Sequence, residues 1–344
     1  MERKMNNPAW ATWQACGRGI MGGLAACAVM LTTALTAPAA MAQSADDYPQ
    51  RPVRVIIPFS PGGSTDLVGR RLSEELGKKL DGSFFVENLA GADGAIGAGE
   101  AARARPDGYT LLYANASALT IAPALKDNLR YDPVESFAPV GETVTYPLIF
   151  VGNPEKPYKN FKEFVEYAKA HPGEVNVASS STGAYMATAV LMLETGIDVQ
   201  IIPYKGGGPA MIDLISGEVD AGFGSTGSTL PLIREGQLRA LAIAGNERHS
   251  DLPDIATIAE SGYPAFQAGS WNGLLAPAGT PPEIVAKLSD AMKQVLADPE
   301  IIKVLDAQGQ TASAADPVAF AEHIKAESQR WKDVVSSGRV KLPQ

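Results

Sequence analysis

Apolar and polar positions along this chain fall into short blocks that predict strands handing over to helices. Val53-Arg54-Val55-Ile56-Ile57 is a β-branched run, the pattern of a strand covered on both faces. It ends in Pro58-Phe59-Ser60-Pro61-Gly62-Gly63, where prolines fix φ and paired glycines admit conformations that a Cβ forbids. Ser64, Thr65 and Asp66 then offer N-cap side chains to a helix with Leu67, Leu72, Leu76 and Leu80 as its apolar face. A strand that passes through glycines into a helix start leaves backbone N–H groups pointing above the strand. That arrangement suits an anion.

The pattern continues. Phe84 to Asn88 reads as a second strand, followed by a glycine-rich passage, Gly91 to Gly99, that opens an alanine-rich helix. Pro106-Asp107-Gly108 stops that helix, and Tyr109 to Ala114 makes a third strand that delivers Asn115 and Ser117 at its carboxyl end. Val144 to Val151 is strand-like with Pro147 in its middle, which argues against a fully paired central strand and marks a domain crossover. Asn160-Phe161-Lys162-Glu163 is a capping box, with Phe161, Phe164, Val165 and Ala168 as the buried stripe of its helix. Strands over 174–179, 198–204 and 219–223 each run into a small polar loop containing glycine: Ser179 to Gly183, Tyr204-Lys205-Gly206, and Gly224-Ser225. A strand over 238–244 closes the set. Trp271 to Pro277 carries the chain back to the first domain, Pro281-Pro282-Glu283 starts a helix, and a long helix from Asp316 to near Ser336 is expected to pack on that domain.

Strands alternating with helices predict an α/β fold with a parallel, doubly wound sheet. In open sheets of this kind ligands sit beyond the carboxyl ends of the strands, so the loops should converge on one site. A single such loop is explained by a tight βα turn; four of them, rich in Ser and Thr, favour a shared site.

Composition refines this picture at the N-terminus. Arg3, Lys4 and Arg18 precede a mostly apolar stretch from Ile20 to Leu35, and Ala40-Met41-Ala42 fits an A-x-A cleavage site. Residues 1–42 therefore read as a cleaved signal peptide. The competing readings are a membrane anchor and lipoprotein processing at Cys27, after Leu24-Ala25-Ala26. Both cysteines, Cys16 and Cys27, lie in this leader, so the mature part has no thiol for a disulfide, a nucleophile or a metal. The formal charge of −9 becomes about −11 once the leader's net +2 is removed, which disfavours nucleic acid and anionic membranes as partners. With 45% apolar residues the remainder is globular, and about 300 residues suggest two domains.

Enzymatic motifs are wanting. His171, His249 and His323 adjoin no nucleophile loop, and no serine sits in a G-x-S-x-G elbow. Gly222-Phe223-Gly224-Ser225-Thr226-Gly227 spells G-x-G-x-x-G, but its first glycine lies within a strand and Pro231 follows where a dinucleotide-binding helix should be under way, although Glu247 stands at a suitable spacing. No phosphate loop and no calcium-loop spacing occurs, so neither cofactor nor metal is expected. Lys205 is the lone cation around the glycine loops, and a carboxylate there would be held by backbone N–H groups, hydroxyls and water. Phe59, Tyr185, Tyr204, Phe223 and Trp271 are available to wall an apolar part of a ligand.

Several stretches together carry a resemblance: Tyr48-Pro49 with Arg51 to Arg54, Pro58 to Asp66, Val86-Glu87-Asn88, Pro106 to Leu112, Pro203 to Gly207, and Leu274 to Pro281. In these the chain resembles the Bug-type receptors, the extracytoplasmic solute-binding proteins of tripartite tricarboxylate transport, over essentially its whole mature length. The resemblance implies a two-domain periplasmic-binding-protein fold (type II) with two crossover segments, domain I being 43–146 plus 271–344 and domain II 147–270. It implies a monomeric periplasmic receptor, not an enzyme, that closes on a small organic acid and delivers it to membrane permease subunits. The acid would be a di- or tricarboxylate, an amino acid or an aromatic carboxylate. By residue match the headgroup falls to Phe59, Pro61, Gly62, Gly63, Ser64, Thr65 and Asp66, with Asp66 favoured as a helix cap over a ligand contact. Ser179, Ser181, Thr182, Gly183, Tyr204 and Gly206 match the opposing wall, and Asn115, Ser117, Gly224 and Ser225 complete the expected site. Two departures stand out: Tyr185-Met186 where relatives commonly carry histidine, and Gly224 where they often carry an acidic or amide residue. Both point to a less charged or partly aromatic acid. Sensing through a membrane kinase, and an exported enzyme on the same scaffold, are the competing functions.

Overall fold

The computed structural model describes residues 47–204, 207–245, 247–266 and 268–338. The leader assigned to residues 1–42, with its cleavage and lipidation alternatives, lies outside the described residues, as do Lys205 and Gly206.

The first sheet begins with β1 (Val53–Ile57), β2 (Phe84–Asn88) and β3 (Thr110–Asn115), all parallel in the order β2-β1-β3. Next comes β9 (Gly269–Pro277), antiparallel to β3, and then β4 (Phe137–Gly152), antiparallel to β9. A two-residue strand, β10 (Thr311–Ala312), closes that edge on β4. The second sheet has the same plan. Strands β5 (Asn176–Ser179), β6 (Gln200–Pro203) and β7 (Ala221–Ser225) are parallel, while β4 pairs antiparallel with β7 and with β8 (Arg239–Ala244). The parallel reading thus holds for both three-stranded runs, and the strands that join the sheets run against them.

Strand β4 serves both sheets. Its 16 residues pair with β9 up to Pro147 and with β7 and β8 from Leu148 onward. Pro147, which has no N–H to give a ladder, stands at the change of partners.

Both sheets carry helices on both faces, as a doubly wound fold requires. Within β1, Val53, Val55 and Ile57 join one core with Leu72 and Leu76 of α1 (Ser64–Lys79) and Leu288 and Met292 of α8 (Pro282–Leu296). Ile56 points the other way, into a core with Ala98 of α2 (Ala95–Ala102) and Phe320 of α10 (Pro317–Ser336). Helix α1 lies close on its strands because residue 69 is glycine; a Cβ there would meet Ile57 Cδ1 and Tyr113 Cδ1 at 2.6 Å. Around the second sheet, α4 (Phe161–Ala170) and α5 (Thr182–Thr195) pack on one face, and α6 (Gly207–Ser216) and α7 (Thr226–Arg234) on the other.

The α4 stripe is buried as its spacing predicts, and Asn160 Oδ1 accepts from Glu163 N at 3.0 Å. Glu163 returns the bond to Lys159 N at 2.7 Å, one residue before the cap. Two elements depart from expectation. Leu67 is 48% exposed, since α1 buries Val68, Leu72 and Leu76 instead. Helix α10 reaches beyond the first domain: Phe320 and Ile324 pack there, but Trp331 enters the core of the second with Phe150 and Phe164.

Candidate functional site

A cleft of about 970 Å³ opens at the carboxyl ends of the parallel strands of both sheets. Tyr146 and Leu148 of β4 and Gly269 and Ser270 of β9 line it, so the strands shared or exchanged between the sheets form part of its wall.

The turn after β1 supplies one side through Phe59, Gly62, Gly63, Ser64, Thr65 and Asp66. Pro61 is exposed and lies outside that lining. Gly62 takes φ +85°, the left-handed conformation that glycine adopts without strain. The N-cap of α1 is Gly63 rather than a serine or threonine, and no side chain caps the helix. Its first-turn N–H groups and the positive end of its dipole therefore face the cleft.

Asp66, in that first turn, turns back instead of outward. Its carboxylate accepts from Gly62 N at 2.9 Å, Arg70 Nε at 3.0 Å and Asn88 Nδ2 at 2.8 Å. Burial opposes its charge, but these hydrogen bonds prevail and hold the carboxyl below its ordinary range. Asn88 also donates to Phe59 O at 2.9 Å, so an amide at the end of β2 clamps the whole turn. Thr65 Oγ1 donates to Asn272 Oδ1 and accepts from Asn115 Nδ2, each at 3.4 Å, which links the turn to β9 and β3. Asn115 and Ser117 line the cleft beside it.

Opposite stand Ser179, Ser181, Thr182 and Gly183 after β5, Tyr204 after β6, and Gly224 and Ser225 at the end of β7. Here the helix start is satisfied internally: Ser181 Oγ accepts from Ala184 N at 3.2 Å. Tyr204 OH donates to Asp213 Oδ2 at 2.6 Å, and burial with that bond pushes its pKa up to about 12. Gly224 is needed for packing as well, because a Cβ would strike Thr229 Cγ2 at 2.3 Å. The structure thus brings 15 of the 17 expected residues to one cleft; Pro61 stays out, and Gly206 lies outside the described residues.

Several lining residues escape sequence reading. Tyr146 comes from β4, is held by Ser270 and Asn115, and has its pKa raised by burial. Gln308 follows α9 (Pro299–Ala307), and nearby Gln310 Nε2 donates to Ser64 Oγ. Trp331 reaches the cleft from α10. Among the expected aromatics Phe59, Tyr185, Tyr204 and Phe223 do line the cleft, but Trp271 does not: it is buried on Phe320, with Nε1 donating to Glu327 Oε2 at 2.7 Å. Met186 is fully buried in the second core.

Among the described residues no lysine, arginine or histidine lines the cleft, and no cluster of His, Cys, Asp or Glu has the makeup of a metal site. His171 and His323 are engaged with Tyr167 O and Glu142 Oε2, and His249 Nδ1 accepts from Asp251 N. The cleft offers backbone donors, hydroxyls and aromatic surface. No helix among the described residues is long and apolar enough to cross a membrane.

Comparison with known proteins agrees with this geometry. The sequence profile described as tripartite tricarboxylate transporter family receptor matches residues 68–339. Protein BugT of Bordetella pertussis is 39% identical over 310 residues, covering 89% of this chain and 95% of that protein. Among solved structures, the periplasmic binding protein BugD is 36% identical with a TM-score of 0.76, covering 86% and 99% of the two chains. MatC from Rhodopseudomonas palustris, solved with bound malate, is 35% identical (TM-score 0.75; 84% and 100% covered). Rpa4515 from R. palustris, solved with adipate, is 28% identical (TM-score 0.78; 86% and 99% covered). A profile match across most of the chain and relatives of this identity and coverage lead to one conclusion: this chain belongs to the tripartite tricarboxylate transporter receptor family of solute-binding proteins, in the company of the Bug proteins.

Proposed function

We propose that this chain is an exported periplasmic receptor, without catalytic activity, that closes on a small carboxylate and hands it to the membrane subunits of a tripartite transporter. The observation that carries the reading is the uncapped start of α1, set at a cleft rich in hydroxyls. A carboxylate placed there accepts hydrogen bonds from first-turn N–H groups and interacts favourably with the helix dipole. Phe59, Gly62, Gly63, Ser64 and Thr65 hold the headgroup, Asp66 acts as the brace of the turn, and Ser179, Ser181, Thr182, Gly183, Tyr204, Gly224 and Ser225 close from the other side. Malate in MatC and adipate in Rpa4515 support the ligand class.

Domain I comprises 43–146 with 271–344 and domain II 147–270, and the hinge lies where β4 changes sheets at Pro147. Closure about such a hinge excludes water and strengthens the headgroup's hydrogen bonds.

Native mass spectrometry of freshly purified protein, followed by thermal shifts with mono-, di- and aromatic carboxylates, tests the reading. A specific ligand raises the melting temperature by mass action. Stabilisation by neutral sugars or cations alone overturns it.

A further inference from the structure

Ser64, Thr65 and Asp66 stand side by side in the first turn of α1, and two of their side chains are already spent. Thr65 Oγ1 gives its hydrogen to Asn272 Oδ1 at 3.4 Å. Asp66 is turned back onto Gly62, Arg70 and Asn88. Ser64, which lines the cleft, differs. Its Oγ accepts from Gln310 Nε2, an amide nitrogen that can only donate. The Ser64 O–H is therefore not given to Gln310, and among the described residues no other group takes it.

Gln310 is firmly placed for this contact. It lies between α9 and β10 and is 3% exposed. Its N–H donates to Leu305 O at 3.0 Å, and the next residue, Thr311, pairs with Thr145 of β4. The preceding Gly309 takes φ +63° and lies so close to the start of α7 that a Cβ would meet Thr226 Cγ2 at 2.1 Å. Gln310 Oε1 is buried without a partner, so among the described residues the side chain's hydrogen bonding goes to Ser64. For stability alone an apolar side chain would serve better, because a buried unsatisfied oxygen is costly.

We propose that Gln310 is a positioning residue for the headgroup: by occupying a lone pair of Ser64 Oγ, it leaves the Ser64 O–H to be donated to the ligand's carboxylate beside the α1 amides. This inference rests on the receptor reading above and adds a side-chain donor and the residue that aims it. A hydroxyl bonded to a carboxylate makes a charge-assisted hydrogen bond. With no donor behind it the same hydroxyl rotates freely, and a lone pair turned toward the anion repels it.

Titration calorimetry on the purified chain with malate, adipate and benzoate finds the tightest binder of the three. A double-mutant cycle is then run with that acid on Ser64→Ala, Gln310→Met and the two together. Methionine keeps the length of the glutamine stem and removes the amide. Ser64→Ala is expected to weaken binding about tenfold and Gln310→Met about fivefold. The pair is expected to be no more than about twofold weaker than Ser64→Ala alone, since Gln310 acts through the hydroxyl. A glutamine with a merely structural role shifts the melting temperature and leaves affinity alone, or multiplies the loss seen in Ser64→Ala; either result overturns the positioning role. Tighter binding by Gln310→Met overturns it as well. If Gln310→Met does not fold, Gln310→Leu takes its place in the cycle with the same expectations, and unchanged affinity in Ser64→Ala overturns the inference by itself. Failure of the cycle leaves the carboxylate receptor standing, whereas binding of none of the three acids overturns that reading and this inference with it.

Discussion

Two turns face each other across the cleft, and in sequence they look alike. Ser60-Pro61-Gly62-Gly63-Ser64-Thr65 follows β1 and Ser179-Ser180-Ser181-Thr182-Gly183 follows β5, each a small polar passage into a helix. The structure separates them. Gly63 caps α1 with no side chain, leaving the helix start open, whereas Ser181 Oγ already accepts from Ala184 N at the start of α5. The first turn is also braced from below by Asp66 and Asn88. Small polar residues before a helix thus serve opposite ends: a serine at the N-cap satisfies the helix, while a glycine there leaves donors for something else.

Substitutions sharpen that contrast, and the largest effect is expected at Gly63. A Cβ there meets only Ser60 O at 3.9 Å, so valine fits the fold while its methyl groups crowd the helix start. Gly63→Val should weaken carboxylate binding about a hundredfold or more in calorimetry, with stability lower by about 1 kcal/mol. Unchanged affinity would break the contrast.

Asp66→Asn comes next. Its hydrogen-bonded carboxylate has a lowered pKa, so its contribution is present above the ordinary value of 3.8 and lost as pH falls through the lower folded value. The variant should lose about 2 kcal/mol in urea unfolding near neutral pH. The gap from wild type should close progressively in acid below pH 3.8. Binding should also weaken, because the turn loses its brace.

A smaller effect is expected at Ser181. Ser181→Ala removes a helix cap and should cost about 1 kcal/mol of stability, with affinity falling far less than in Gly63→Val. A large loss of affinity there would make the two turns equivalent.

The smallest is a control outside both turns. His323 Nδ1–H donates to the Glu142 carboxylate at 2.6 Å, and that hydrogen bond is the main cause of its raised pKa. A raised pKa means the stabilisation is full below the ordinary value of 6.5 and is lost as pH rises through the folded value. His323→Gln should therefore lower the melting temperature at acid pH, with the difference fading in alkali and affinity untouched.

What was legible in the sequence was local. The alternating blocks located the strands, the capping box placed α4, and the loops after β1, β5, β6 and β7 named most of the cleft. What was hidden depended on long-range packing. Tyr146 reads as one more residue of a strand until β4 is seen to pass from one sheet to the other. Trp331 reads as the apolar face of a terminal helix, and only the reach of α10 into the second core brings it to the cleft. Trp271 fails for the same reason in reverse: next to a strand's polar residues it looks available, but Phe320 and Glu327 of α10 enclose it.

Backbone amides at the start of α1 holding a carboxylate is the claim on which the rest depends, and amide-resolved NMR reads it directly. On titration with the tightest-binding acid, the amide protons of residues 64–66 should move downfield together while those of 182–184 move little. Movement confined to 182–184, with 64–66 unchanged at saturation, would contradict it.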